Sequence, residues 1–278
     1  MSVETPVSQG SPFQYIMDSK VGTLTTINGK DYLYFAGTGY FQLQSHPAMI
    51  QAAIDATLKF GIECYLTNHY RHHKSLIKTQ TKNSRFFRNG RCSLPAVWVD
   101  DAHGVGILGE NGRGVYEYFH LNSERLFMGA TLSKAFGAYG GFVPGNSQFI
   151  NILKSGNVMT GTNSPPNAMV SAALKGLEIV KNNPELRLKL QNNTIYLKNK
   201  IKKLGVTTED NTLPIVTFSL ENSDRMQNIQ HLLMNEGIYI QFVKYVGSGA
   251  DGVLRMVVTS GHSEEEIDFL VSALGWLL

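Results

Sequence analysis

Three short stretches of the chain bring together residue types that can do chemistry. Asp100 and His103 lie three residues apart: Asp100 follows the apolar run Ala96–Val99 (AVWV), and His103 falls in the turn Ala102–Gly106. A carboxylate at the end of a strand can pair with a protonated ring nitrogen, although an Asp–His turn bonded only to itself has the same spacing. Thr131-Leu132-Ser133-Lys134 is followed by Gly137, Gly140 and Gly141. Two hydroxyls and a lysine beside glycines suit a phosphate, and a lysine that is desolvated or near another cation loses its proton and becomes a nucleophile. A solvated lysine in a surface loop reads the same way. Arg255 sits within the strand-like Leu254–Thr259. An arginine in such a run needs a partner, either a carboxylate ligand gripped by two N–H groups or a structural ion pair.

The elements that must position these residues follow from periodicity. Short apolar runs at Ala96–Val99 and Arg125–Gly129 read as buried parallel strands that deliver polar residues at their C-terminal ends. Gly140–Pro144 is another strand candidate, and Asp31–Phe35 (DYLYF) has strand-like aromatics. His46-Pro47 opens a helical pattern whose apolar side is Met49, Ile50, Ala53, Ile54, Thr57 and Leu58, with Gly61 as its stop. Helices are expected from Pro165-Pro166 to about Val180, from Pro184 to about Leu204, and over Met226–Glu236. Strands are expected over Pro214–Leu220, Ile238–Val243 and Val253–Thr259. Ser263 and Glu266 form a capping box for a last helix with Ile267, Leu270, Val271 and Leu274 on its apolar face. This alternation predicts an α/β fold with a 1–30 N-terminal arm, a large domain over 31–182 and a small α+β C-terminal domain over 183–278. Asp100, His103, Thr131 and Lys134 should then converge at one edge of the sheet.

Composition narrows the function classes. A chain of 278 residues that is 42% hydrophobic and 17% charged reads as globular. Its net charge of +3 gives no general case for nucleic acid. The basic run from Arg71 to Arg91 holds no acid and reads as a solvated loop or frayed helix. Cys64 and Cys92 fit no metal spacing, so no metal is expected. The expectation is a cytoplasmic protein without a signal peptide or membrane span.

Taken together, the motifs resemble the α-oxoamine synthase family of fold type I pyridoxal-phosphate (PLP) enzymes. The resemblance rests on VDDAHGVGILGENGRG (Val99–Gly114), GATLSKAFGAYGGFV (Gly129–Val143), Thr162 with Pro165-Pro166, and LRMVVTSGHSEEEID (Leu254–Asp268). A weaker match is YFQLQSHPAMIQAA (Tyr40–Ala53). The resemblance implies that Asp100 pairs with the cofactor's pyridine nitrogen, His103 bonds its phenolic oxygen and Thr131 contacts its phosphate. It further implies that Lys134 holds the aldehyde, Thr162 reaches a phosphate across a homodimer interface, and Arg255 binds the amino-acid carboxylate. The implied reaction condenses an amino acid with an acyl-CoA-type thioester and releases carbon dioxide, with the displaced Lys134 as base. An aminotransferase of the same fold shares the lysine and aspartate and stays open, as does a non-catalytic remnant or dimer partner. The sequence departs from the family pattern in two places. Lys74–Leu94 replaces a long segment that carries a glycine-rich phosphate loop and a stacking histidine, and His69, His72 and His73 come too early to supply the latter. Gly39 stands where an asparagine is expected. The sheet should therefore have fewer strands than the family's.

Overall fold

The computed structural model describes residues 15–61, 97–123, 125–156, 165–220, 222–244 and 248–278. Cys64, Cys92, His69, His72, His73, the basic run and Thr162 lie outside the described residues.

The fold is α/β, with nine strands in three small sheets among the described residues. β3 (Val97–Asp100) runs parallel to β4 (Leu126–Thr131), and β5 (Gly141–Phe142) pairs antiparallel on the other side of β4. The parallel register sets Asp100 beside Gly129, so both strands end at the same edge. The second sheet is wholly antiparallel: β9 (Val253–Val257) lies between β6 (Ile215–Phe218) and β8 (Gln241–Val243). The third joins the hairpin of β1 (Leu24–Ile27) and β2 (Lys30–Tyr34) to β7 (Ile238–Tyr239), which pairs parallel to β2. Ile238–Val243 is thus two strands, not one. The chain changes sheet at Ile240, whose side chain is fully buried and whose carbonyl accepts from the Gln230 amide instead of a strand neighbour.

Helices form where the caps sit. In α1 (Pro47–Phe60) the His46 ring accepts from the Ala48 amide, Pro47 occupies the first turn, and Gly61 closes the helix at φ 78°. The apolar side expected of α1 is only partly buried. Met49 and Ala56 are covered, whereas Ile50, Ile54 and Leu58 are exposed. The small residues of α1 let it lie close against α4 (Asn167–Asn182), which leaves the larger side chains outside the seam. Two short helices, α2 (Val115–Tyr118) and α3 (Ser147–Ser155), were not legible as elements in the sequence. Pro184 separates α4 from α5 (Glu185–Lys203). α6 (Ser223–Asn235) starts on Asn222, and α7 (Glu264–Leu277) starts on the reciprocal Ser263–Glu266 capping box. Among the described residues, no helix is long and apolar enough to cross a membrane.

Two cores do most of the packing. One is built on the antiparallel sheet and α5, α6 and α7, with Leu197, Leu233, Leu254, Met256 and Leu270 fully buried. The other gathers Tyr40, Phe41, Met49, Ile107, Phe136 and Val257 beneath the loops that follow β3 and β4. Strand β3 is less covered than a buried parallel strand should be: Val97 and Trp98 are about half exposed, at 49% and 54%. Among the described residues β3 is an edge strand, and Trp98 rests against Gly129.

Asn193 ties α5 to the turn after β9. Its buried amide donates to the carbonyls of Thr259 and His262 at 3.0 and 2.8 Å. Asn193→Leu removes both donors, leaving the His262 carbonyl unpaired and the Thr259 carbonyl with only the long 3.4 Å bond from the His262 amide, so unfolding free energy should fall by about 2 kcal/mol in denaturant titrations. A variant within error of the parent would show that water replaces the amide there.

Candidate functional site

The loops after β3 and β4 bring the chemical residues together. After β3, Asp101 turns inward and is almost fully buried. Its carboxylate accepts from the Val115 amide, and its carbonyl accepts from the amides of Gly104 and Val105. This folds Ala102–Gly106 back on itself and aims His103 across the edge of the sheet. Gly114, at φ 86°, passes so close to the carboxylate that a Cβ would collide with it. Burial raises the Asp101 pKa against the Val115 and Gly104 amides, and Asp100 adds to the rise. Asp100 itself is exposed and accepts from the Ala102 amide at 3.0 Å.

After β4, Thr131 Oγ1 lies 2.7 Å from Ser133 Oγ, accepts from the Ser133 amide and donates to the Gly140 carbonyl. This closes a tight turn that carries Lys134. Gly137, at φ 60°, lies against the backbone of Leu43 and Gln44, closer than any side chain allows. The lysine loop is thereby pinned to the chain that leads into α1.

Lys134 Nζ lies 3.1 Å from His103 Nε2, and His103 Nδ1 lies 2.6 Å from the hydroxyl of Tyr40, which is fully buried. The three atoms allow two proton arrangements. With a neutral amine, Tyr40 donates to Nδ1 and Nε2–H donates to Lys134. With an ammonium, Lys134 donates to Nε2 and Nδ1–H donates to Tyr40. Burial draws Lys134 below its ordinary pKa, with Asp100 opposing and Arg255 assisting. Burial, then Lys134 and Arg255, hold His103 down to about 4, against a pull upward by Asp100. Burial likewise raises the Tyr40 phenol, with Arg255 opposing.

Asp100 and Arg255 thus lie near enough for their charges to be felt at both His103 and Lys134. Thr131 stands at the base of the Lys134 turn, and its hydroxyl is engaged within that turn. Among the described residues, no carboxylate lies within ion-pair distance of Arg255 or Lys134, and Asp100 pairs with no cation. The structural ion pair considered for Arg255 is thus absent there. Its guanidinium donates instead to the Gln241 side-chain oxygen at 2.9 Å. No His, Cys, Asp and Glu cluster suited to a metal occurs among the described residues.

Sequence reasoning assigned no role to Tyr40, Asp101 or His262. Tyr40 lay in the weaker match, and nothing in its neighbours marks a buried phenol. Asp101 is adjacent to a better candidate, and only Gly104 and Gly114 hint at a group needing close approach. His262 stacks on Phe35 with ring centres 4.1 Å apart, and its Nδ1 accepts from the Thr259 amide. Burial holds it neutral to about 4, while the Tyr34 carbonyl, facing Nε2 outside hydrogen-bond geometry, pulls the other way.

Residues 96–274 match the family described as Aminotransferase class I and II. The chain is 34% identical over 175 residues to 8-amino-7-oxononanoate synthase 1 of Bacillus velezensis, covering 62% of this chain and 44% of that protein. The chain thus spans less than half the length of the curated relatives it matches. A structure of SPT with PLP shares the fold at a TM-score of 0.82 and 19% identity, covering 95% of this chain and 92% of that one. The 8-amino-7-oxononanoate synthase of Francisella tularensis does so at 0.71 and 17%, covering 88% and 97%.

The half-buried His103 and the buried His262 set a pH dependence. Both are neutral in the folded chain down to about pH 4, whereas in the unfolded chain they take up protons near 6.5. The unfolded state therefore binds more protons in that interval, and stability is lost as pH falls from about 6.5 towards 4. Urea midpoints should drop across that window, and the ring C–H resonances of His103 and His262 should stay flat above about pH 5. Titration of either ring near 6.5 would contradict this account.

Proposed function

Because the chain belongs to the aminotransferase class I and II family, we propose that it is a PLP-dependent transferase of the α-oxoamine synthase type. The proposed reaction condenses an amino acid with an acyl-CoA-type thioester and releases carbon dioxide. The observation that carries this reading is the cleft in which Lys134 Nζ meets His103 Nε2 at 3.1 Å, with Asp100 and Arg255 close enough to perturb both. The donor set fits the cofactor: one lysine with a lowered pKa, one exposed carboxylate, one imidazole held neutral and one guanidinium with no acid beside it among the described residues. The SPT of like fold holds PLP, and the 34%-identical relative is a synthase.

On this reading Lys134 binds the cofactor aldehyde, Asp100 its ring nitrogen, His103 its phenolic oxygen and Thr131 its phosphate. Arg255 takes the carboxylate of the amino acid. Thr162, outside the described residues, is assigned a phosphate contact from a second protomer of a homodimer. PLP, when bound, accepts the electron pair left at the substrate Cα. The protein's own residues manage the protons. Once displaced, Lys134 can accept the Cα proton. Tyr40 is here a positioning residue: its hydroxyl holds the His103 ring at Nδ1. The division into arm (1–30), cofactor domain (31–182) and small domain (183–278) belongs to the same proposal.

Incubation with PLP followed by borohydride reduction should fix the cofactor on Lys134, as found by peptide mapping. Lys134→Ala should lose that label and the visible absorbance of bound PLP while keeping its denaturation midpoint, because the lysine adds only its stem to packing. Equal labelling of both proteins would refute the assignment. Release of labelled carbon dioxide from a carboxyl-labelled amino acid, as opposed to exchange with a keto acid, then decides for condensation over transamination.

A further inference from the structure

Arg255 is held in an unusual electrostatic setting. It occupies the middle of β9, where the alternation of side chains sends Leu254 and Met256, both fully buried, into the core beneath the sheet. Arg255 therefore faces the other way, towards the cleft, where its charge is felt at Tyr40, His103 and Lys134. On that face its two cross-strand neighbours are Thr217 of β6 and Gln241 of β8, both in direct register. Both are neutral. The strand position that most readily carries a counter-charge carries an amide instead, and its oxygen accepts from Arg255 Nη1 at 2.9 Å.

Resting on the function proposed above, we infer that Gln241 is a positioning and specificity-determining residue. It orients the Arg255 guanidinium for a substrate carboxylate while leaving the full positive charge uncancelled. A guanidinium offers five N–H donors in a planar fork. One bond to Gln241 fixes the plane of that fork and leaves donors for a two-pronged carboxylate contact. A glutamate at the same place keeps the geometry but supplies an internal counter-ion, so a ligand carboxylate meets a neutral pair. A methionine keeps the volume but supplies no strong acceptor, so the guanidinium keeps its charge and loses its fixed plane. The two substitutions separate the electrostatic part of the role from the geometric part.

The test uses the PLP-loaded full chain and compares an amino acid with its methyl ester, which lacks the carboxylate charge. Equilibrium affinities are read by calorimetry and by the change in cofactor absorbance. Gln241→Glu should reduce the preference for the acid over the ester at least tenfold, and Gln241→Met should reduce it about threefold. General damage to the cleft weakens both ligands together and leaves their ratio alone, so the ratio reports the charge and not the fold. A Gln241→Glu protein with the parental ratio overturns the electrostatic role, and a Gln241→Met protein with the parental ratio overturns the positioning role. If the parent chain takes up no PLP at all, the Lys134 reading falls and this assignment falls with it. PLP uptake with parental ratios in both variants rejects Gln241 alone.

Discussion

The hydrogen-bonded row from Tyr40 through His103 to Lys134 is where three distant parts of the chain must agree to within a fraction of an ångström. Each member is held by a different device. Tyr40 is sunk in the core, and its carbonyl accepts from the Ser260 amide, so the turn after β9 fixes it from behind. His103 is carried by a loop wound around the buried Asp101 carboxylate. Lys134 rides on a turn whose Gly137 touches the backbone just before α1. Loss of one device leaves the other two intact but aimed at nothing.

These devices are mostly polar and mostly neutral. Asn193, Thr259 and His262 bind one another beneath the cleft, with Gln42 reaching Thr259 from the Tyr40 segment at 2.9 Å. A buried polar group is tolerated only when its partners are present, so such a network fixes one geometry more sharply than apolar packing alone. Asp101 is the acidic exception. Its Oδ1 has no partner with hydrogen-bond geometry among the described residues, and burial raises its pKa. The loop that aims His103 thus rests on a carboxylate that is costly to bury and whose Val115 and Gly104 neighbours offset part of that cost.

Much of this was legible in the sequence, and the reasons differ by residue. The helices α1, α4, α5 and α7 announce themselves by Pro at one end or by a capping box, which are local signals. Lys134, Asp100, His103 and Arg255 stand out because their types are rare in apolar or glycine-rich context, and Lys134 meets His103 with the charges of Asp100 and Arg255 felt at both. Tyr40 and Asp101 were not legible, because their roles depend on burial under loops from elsewhere in the chain, which no short window contains. The expected burial of Ile50, Ile54, Leu58, Val97 and Trp98 failed for a related reason. Periodicity gives the apolar side of an element but not the neighbour that covers it. The split of Ile238–Val243 between two sheets escaped notice because β7 and β8 share one apolar run.

The same comparison explains how the cleft can hold uncompensated charges without unsettling the fold. Asp100, Lys134 and Arg255 sit on strand ends, loops and the outer face of β9, while the large apolar side chains pack on the opposite faces of those elements. The cost of keeping an acid and two cations near one another but unpaired is therefore borne locally, by groups that remain partly solvated, and the cores do not depend on it. On the function proposed here, a bound cofactor and substrate supply the missing counter-charges: a ring N–H for Asp100, a carboxylate for Arg255 and a carbon partner for Lys134. A site whose charges are satisfied only from outside binds to the folded state alone, and so adds to its stability in proportion to ligand occupancy.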